Sequence, residues 1–352
     1  MGLEWPPAAG AVEDYAVAYS LDGGGLWTGV DDGVTAASRA TVGPLLNGRE
    51  YLFRVSARNL AGQSPPVMAD ASPFTTPSPP TRVQATGGLT PVVSWAPAAQ
   101  DGGRPVIGYV VNGNPTGRCT AVPPATSCEL TDLPAAPGYT FTVRAVNDAG
   151  PGRSSAATGP PVSVFSAPGR AVAVTTAPGD GLVLLTWTRP LLDGNTPILD
   201  YAVDYKVATD DEWTALDHPQ STITARTVTG LRNGVAYDFR VLTINAAGAS
   251  APPLYRVTET PARVPDAPEA LLEADGDSAV TLAWAAPTFD GGAAITDYTV
   301  EYSTAGGPWT AAEHPAGATT GMRVSGLDNG TAYRFRVAAV NDMGTGARSM
   351  TV

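Results

Sequence analysis

Four stretches of this chain repeat one another at nearly constant spacing, and that repetition constrains the fold more than any local propensity. Residues 45–62 read LLNGREYLFRVSARNLAG, residues 231–248 LRNGVAYDFRVLTINAAG and residues 327–344 LDNGTAYRFRVAAVNDMG. Leu45, Leu133, Leu231 and Leu327 each lie six residues before Tyr51, Tyr139, Tyr237 and Tyr333. Each tyrosine lies eight before Asn59, Asn147, Asn245 or Asn341, with a glycine three beyond. Trp5, Trp95, Trp187 and Trp284 recur at intervals of 90, 92 and 97, the length of a small sandwich domain. Trp95, Trp187 and Trp284 each precede a tyrosine (Tyr109, Tyr201, Tyr298) by 14 positions, across a loop reading DGG, DGN or DGG. The tryptophan-to-leucine distance varies from 38 to 44, so a rigid frame carries variable loops. Four tandem domains follow.

The alternation inside the repeats predicts strands. In YDFRVLTIN, Tyr237, Phe239 and Val241 fall on one face, and Asp238 and Arg240 on the other, which is read as wet. Such a register is strongly specified, because a one-residue slip would turn every core side chain outward. With 39 Gly, 33 Pro and only 15% charged residues, the chain suits short strands joined by turns and no helices. The fold class is all-β.

The pattern resembles the fibronectin type III module, a seven-strand, two-sheet sandwich with immunoglobulin-like architecture. The resemblance rests on the core tryptophans, on Pro97, Pro190 and Pro287 after them, on the leucine-to-tyrosine corner and on YRFRVAAVNDMG with its three counterparts. It implies four sandwiches, at 1–76, 77–165, 166–261 and 262–352, with proline-rich joints at TTPSPP, FSAPG and TPARVPDAP. Trp5, Trp95, Trp187, Trp284, Tyr51, Tyr139, Tyr237 and Tyr333 are expected in the structural core. The first copy begins just before Trp5, so it is expected to lack strand A and most of strand B and to be a truncated piece of a longer protein. The second copy carries Ala135-Ala136 where the others have Asn-Gly, and it lacks a tryptophan matching Trp27, Trp213 and Trp309.

Cys119 and Cys128 are the only cysteines and are expected to form a disulfide across a hairpin turned at Pro123-Pro124; in an intracellular protein they would read as core residues instead. The resemblance, with this pair, implies a bacterial, extracellular or cell-surface protein, although MGLEWPPAAG has neither the basic start nor the apolar run of a signal peptide. The expected function is a non-catalytic structural spacer or interaction segment holding functional domains apart. Its alternatives are a carbohydrate- or protein-binding adhesion module, or an accessory region of a polysaccharide-degrading enzyme.

Charge and motif content narrow the chemistry. A net charge of -12 repels phosphate backbones and anionic lipid, so neither nucleic acid nor membrane is an expected partner. A protein or a polysaccharide is, and the chain is expected to be monomeric. His218 and His314, in LDHPQ and EHPAG, supply too few ligands for a metal site and read as a repeated exposed loop. Without further histidines no nucleophilic triad can be assigned. The DDG, DGG and TDDEW segments lack the alternating acidic spacing of a calcium loop and read as turns. No cofactor and no metal are expected, and no catalytic residue. Trp27, Trp213 and Trp309 remain as ligand-contact candidates: they could stack on sugar rings, or cover the side of each sandwich.

Overall fold

The computed structural model describes residues 1–254 and 256–352, and no helix occurs among them. The chain divides into two compact units, Met1–Phe165 and Ser166–Val352, each holding two modules.

In the first unit the opening module contains β1 (Gly2–Glu4), β2 (Asp14–Ser20), β3 (Thr28–Gly29), β4 (Arg39–Thr41), β5 (Tyr51–Asn59), β6 (Gly62–Gln63) and β7 (Val67–Ala71). Its larger sheet runs β3-β2-β5-β6 with β7 also on β5, while β1 pairs only with β4. The next module contains β8 (Thr81–Thr86), β9 (Val92–Ala96), β10 (Gly108–Asn114), β11 (Arg118–Ala121), β12 (Ser127–Glu129), β13 (Thr140–Asn147) and β14 (Gly150–Pro151). Its sheets run β12-β9-β8 and β11-β10-β13-β14.

In the second unit the third module contains β15 (Val172–Gly179), β16 (Leu182–Thr188), β17 (Ile198–Val207), β18 (Thr214–Ala215), β19 (Ala225–Thr229), β20 (Tyr237–Asn245), β21 (Gly248–Ala249) and β22 (Val257–Glu259). The fourth contains β23 (Glu269–Gly276), β24 (Ala279–Ala285), β25 (Asp297–Thr304), β26 (Thr310–Ala311), β27 (Gly321–Ser325), β28 (Tyr333–Asn341) and β29 (Gly344–Arg348). Three-stranded sheets β15-β16-β19 and β23-β24-β27 face the larger sheets β18-β17-β20-β21 and β26-β25-β28-β29.

Every named strand pair is antiparallel, and the predicted alternation sets which side chains meet. Along β20 the core face is Tyr237, Phe239 and Val241, continued by Thr243 and Asn245, all buried. The core tryptophan of one sheet meets the strand tyrosine of the other in each module: the ring centroids of Trp5–Tyr15, Trp95–Tyr109, Trp187–Tyr201 and Trp284–Tyr298 are 5.3, 5.2, 5.4 and 5.3 Å apart. Such pairs add about 0.5–1.5 kcal/mol to the burial of their area.

Trp5 and Tyr333 are half-buried and pack against the core clusters of their modules. Two expectations need correction. Asp238 is not on a wet face: it is 2% exposed, roofed by Lys206 and Arg256. Nor do the cysteines close a hairpin, since Cys119 lies on β11 of one sheet and Cys128 on β12 of the other. Their bond, with Cα atoms 6.3 Å apart, ties the two sheets together at their open edge.

The tyrosine corner shows how one module adapts to a changed sequence. The hydroxyls of Tyr51, Tyr237 and Tyr333 accept hydrogen bonds from the amides of Leu46, Arg232 and Asp328 at 2.8, 3.1 and 3.1 Å. At the corresponding place the second module has Pro134, which has no N–H to donate. The Tyr139 hydroxyl reverses its role and donates to the Pro134 carbonyl at 2.9 Å.

Candidate functional site

The most constant polar constellation lies where each linker enters the following module. The last residue of the long strand β13, β20 or β28 is a buried asparagine, 2 to 3% exposed. Its carboxamide oxygen accepts the amide two residues on (Ala149, Ala247 or Met343) at 2.8–2.9 Å and shapes the tight turn that follows. The nitrogen donates to two carbonyls, one on the linker and one on the Asp-Gly loop. For Asn147 these are Thr75 and Asp101, for Asn245 Ser166 and Asp193, and for Asn341 Arg263 and Asp290, all at 2.7–2.8 Å.

The Asp-Gly loop closes the seat from the other side. Thr75, Ser166 and Arg263 donate their amides to the carbonyls of Gly102, Gly194 and Gly291 at 2.8–2.9 Å. Each of these glycines has φ between +78° and +88°, and a Cβ on it would land on the carbonyl oxygen of the seated linker residue. The glycine is therefore required twice, by its backbone angle and by the close approach. The preceding aspartates hold the loop: Asp101, Asp193 and Asp290 accept the amide two residues on at 2.8–2.9 Å. Loops read from sequence as plain turns are thus the floor of a linker seat. In the first module, Asn59 is exposed and donates to Ala11 at 3.1 Å.

The tryptophan candidates sit together with arginines that sequence reasoning missed. Trp27, Trp213 and Trp309 each immediately precede a two-residue edge strand, β3, β18 or β26, and are half-buried. Arg54, Arg240 and Arg336, from the long strands β5, β20 and β28, lie over the rings at 4.2, 4.4 and 4.0 Å from the centroid. The guanidinium covers an indole face on which a sugar would stack. The repeated FRV motif was the available signal, because it places the arginine directly across from the ring. Arg240 also meets Asp204 at 2.8 Å, and Arg336 meets Glu301 at 2.6 Å.

Electrostatics on these faces are paired. Hydrogen bonding from Arg348, opposed by partial burial and aided by Arg336, holds the Glu301 carboxyl below the usual range. The same contact raises Arg348. Burial acts against the charge on Asp238, but bonds from Thr258, Arg256 and Lys206 outweigh it and the carboxyl is lowered.

His218 and His314 lie on the loops after β18 and β26, each with Nδ1 2.9 Å from the carbonyl oxygen of the next proline. Among the described residues no group of three or more His, Cys, Asp or Glu is placed to hold a metal ion. No helix among them is long and apolar enough to cross a membrane.

These features define a tandem array of two-sheet β-sandwich modules whose linkers are seated on the module that follows. The chain belongs to the fibronectin type III domain family, which matches residues 1–69, 78–159, 166–259 and 266–352. It is 28% identical to Myomesin-2 of Homo sapiens over 99% of this chain and 26% of that protein. It is 27% identical to the M-protein of striated muscle of Gallus gallus over 98% of this chain and 27% of that protein. Myosin-binding protein C, fast-type, of Homo sapiens is 31% identical over 50% of this chain and 16% of its own length. The chain thus spans about a quarter of the length of the first two relatives. Among solved structures, the chicken CNTN1 FN1-FN3 domains give a TM-score of 0.33 at 17% identity, covering 78% of this chain and 97% of that one.

The relatives support a structural or interaction role and indicate no catalytic family. They also overturn the bacterial, extracellular and cell-surface expectation, since they are animal proteins named for striated muscle and for binding myosin. The cues behind that expectation were local: the Asp-Gly-Gly loop is a linker seat and the cysteine pair a tie between two sheets. Both describe a module, and a module does not carry its compartment.

Proposed function

We propose that this chain is a non-catalytic spacer in a protein of the myomesin and myosin-binding protein C kind, holding protein-binding regions at set separations. The supporting observation is the linker seat, which recurs with the same three backbone partners and the same asparagine at 75, 166 and 263. A linker with its carbonyl and amide both engaged has lost the freedom of a flexible tether. Protein partners, with filamentous myosin as the first to test, are taken over from the relatives' names.

Spacing is tested by pulsed electron resonance between nitroxides at Asp211→Cys and Ala305→Cys, on the third and fourth modules. The two native cysteines are bonded and do not take label. The distance distribution should be about as narrow as that of a pair within one module, Asp275→Cys with Ala305→Cys. A distribution several-fold broader removes the spacer reading. Cosedimentation of the whole chain with myosin filaments tests the partner separately, and no saturable binding removes that part.

A further inference from the structure

Within each unit the joint between its two modules carries a second contact, made by the upstream module. Gly48, in the Asn-Gly turn of the first module, donates its amide to the linker carbonyl of Pro73 at 2.8 Å, and Gly234, in the third, donates to Pro261 at 3.0 Å. Against these turns lies the second glycine of the downstream Asp-Gly-Gly loop. A Cβ on Gly103 would come within 2.7 Å of the Asn47 carbonyl carbon and 2.8 Å of the Gly48 Cα. One on Gly292 would come within 2.9 Å of the Asn233 carbonyl carbon and 3.0 Å of the Gly234 Cα. The approach is between backbones, so no flexible side chain can give way. All four glycines have φ between +77° and +88°.

The glycine requirement follows the presence of a partner. Gly330, in the Asn-Gly turn of the fourth module, has the same backbone angle, φ +81°, but nothing within 4 Å of its would-be Cβ.

We propose that Gly48 with Gly103, and Gly234 with Gly292, form backbone latches that lock the angle between the modules they join. Deepening the spacer reading on which it rests, the latch supplies what the seat alone does not. The seat ties a linker to its downstream module, whereas the latch ties that module to the one before. A methyl group at Gly103 or Gly292 removes the contact while leaving both sandwiches folded, whereas one at Gly234 would meet only the Gly292 Cα, at 3.3 Å.

The test uses the labels at Asp211→Cys and Ala305→Cys in the full chain, with Gly292→Ala, Gly234→Ala and Gly330→Ala added singly. The control carries the same strain of a side chain at positive φ, without a partner. Gly292→Ala should broaden the distance distribution about twofold or shift its mean, Gly234→Ala should do so less, and Gly330→Ala should leave it as in the parent. Circular dichroism and tryptophan emission report whether each variant is folded, and Gly292→Ser serves as a second variant at the critical position. A narrow parent distribution that stays unchanged in folded Gly292→Ala and Gly292→Ser overturns the latch but leaves the spacer. Equal broadening by Gly330→Ala also overturns the latch, and a parent that is broad from the start overturns both.

Discussion

Asn147, Asn245 and Asn341 use both ends of one carboxamide, and an aspartate of the same size cannot replace them, because it has no donor to offer. Asn341→Asp would leave the carbonyls of Arg263 and Asp290 facing a buried carboxylate. Its expected effect is a loss of roughly 2–4 kcal/mol from the fourth module, the order of leaving buried polar groups unpaired. Asn59→Asp, at an exposed site, should change the first module by less than about 1 kcal/mol. Denaturant unfolding of the two variants measures the difference, and equal effects would show that the seat adds nothing to stability. The asparagine spacing is plain in the sequence, but the role is not. The partners of Asn147, Asn245 and Asn341 on the linker lie 72, 79 and 78 residues away, and only the closed fold brings them together.

At the scale of elements the edge strands explain why the second module departs from the repeat. Cys119 pairs across from Val111, the place taken by Leu216 in the third module and Ala312 in the fourth, where each donates its amide to the matching strand valine. Cys128 pairs across from Val93. The covalent tie thus stands at an edge where the other modules have a tryptophan under an arginine three residues earlier. Closing this short loop should stabilise the second module by roughly 2–3 kcal/mol on the chain-entropy estimate. Reduction should lower the melting of that module alone, followed by hydrogen exchange in β10 and β13, and melting unchanged by reductant would refute it. The strands themselves were legible, because alternation with a period of two specifies a face directly. Which sheet each cysteine joins was not. A nine-residue separation fits a hairpin as well as a crossing between sheets, and only the pairing of β12 with β9 decides. The roofing of Asp238 by Lys206 and Arg256 was hidden for a similar reason, since alternation assigns a face but not what covers it.

For the whole molecule, the four modules are unequal in what they bury. The packed cluster of the first is Val17, Ala40, Val42, Tyr51 and Phe53, against ten buried residues in each of the other three clusters. Its smaller sheet has two strands where the others have three. Less apolar area leaves water, and β1 has hydrogen-bonding groups with no second neighbour strand. Amides of β2 and β5 should exchange at least about tenfold faster than those of β17 and β20, and the first module should melt first. Equal protection would refute this ranking. The linker seat also sets an order of events during synthesis. Ribosomes deliver a chain from its N-terminal side onward, and modules fold as units in that order. Thr75, Ser166 and Arg263 emerge early, whereas the asparagines that hold them emerge 72 to 79 residues later, on the last long strand of the following sandwich. Each joint is therefore loose while its downstream neighbour is being made and sets only as that neighbour closes, so a nascent chain always trails one unset hinge behind the ribosome.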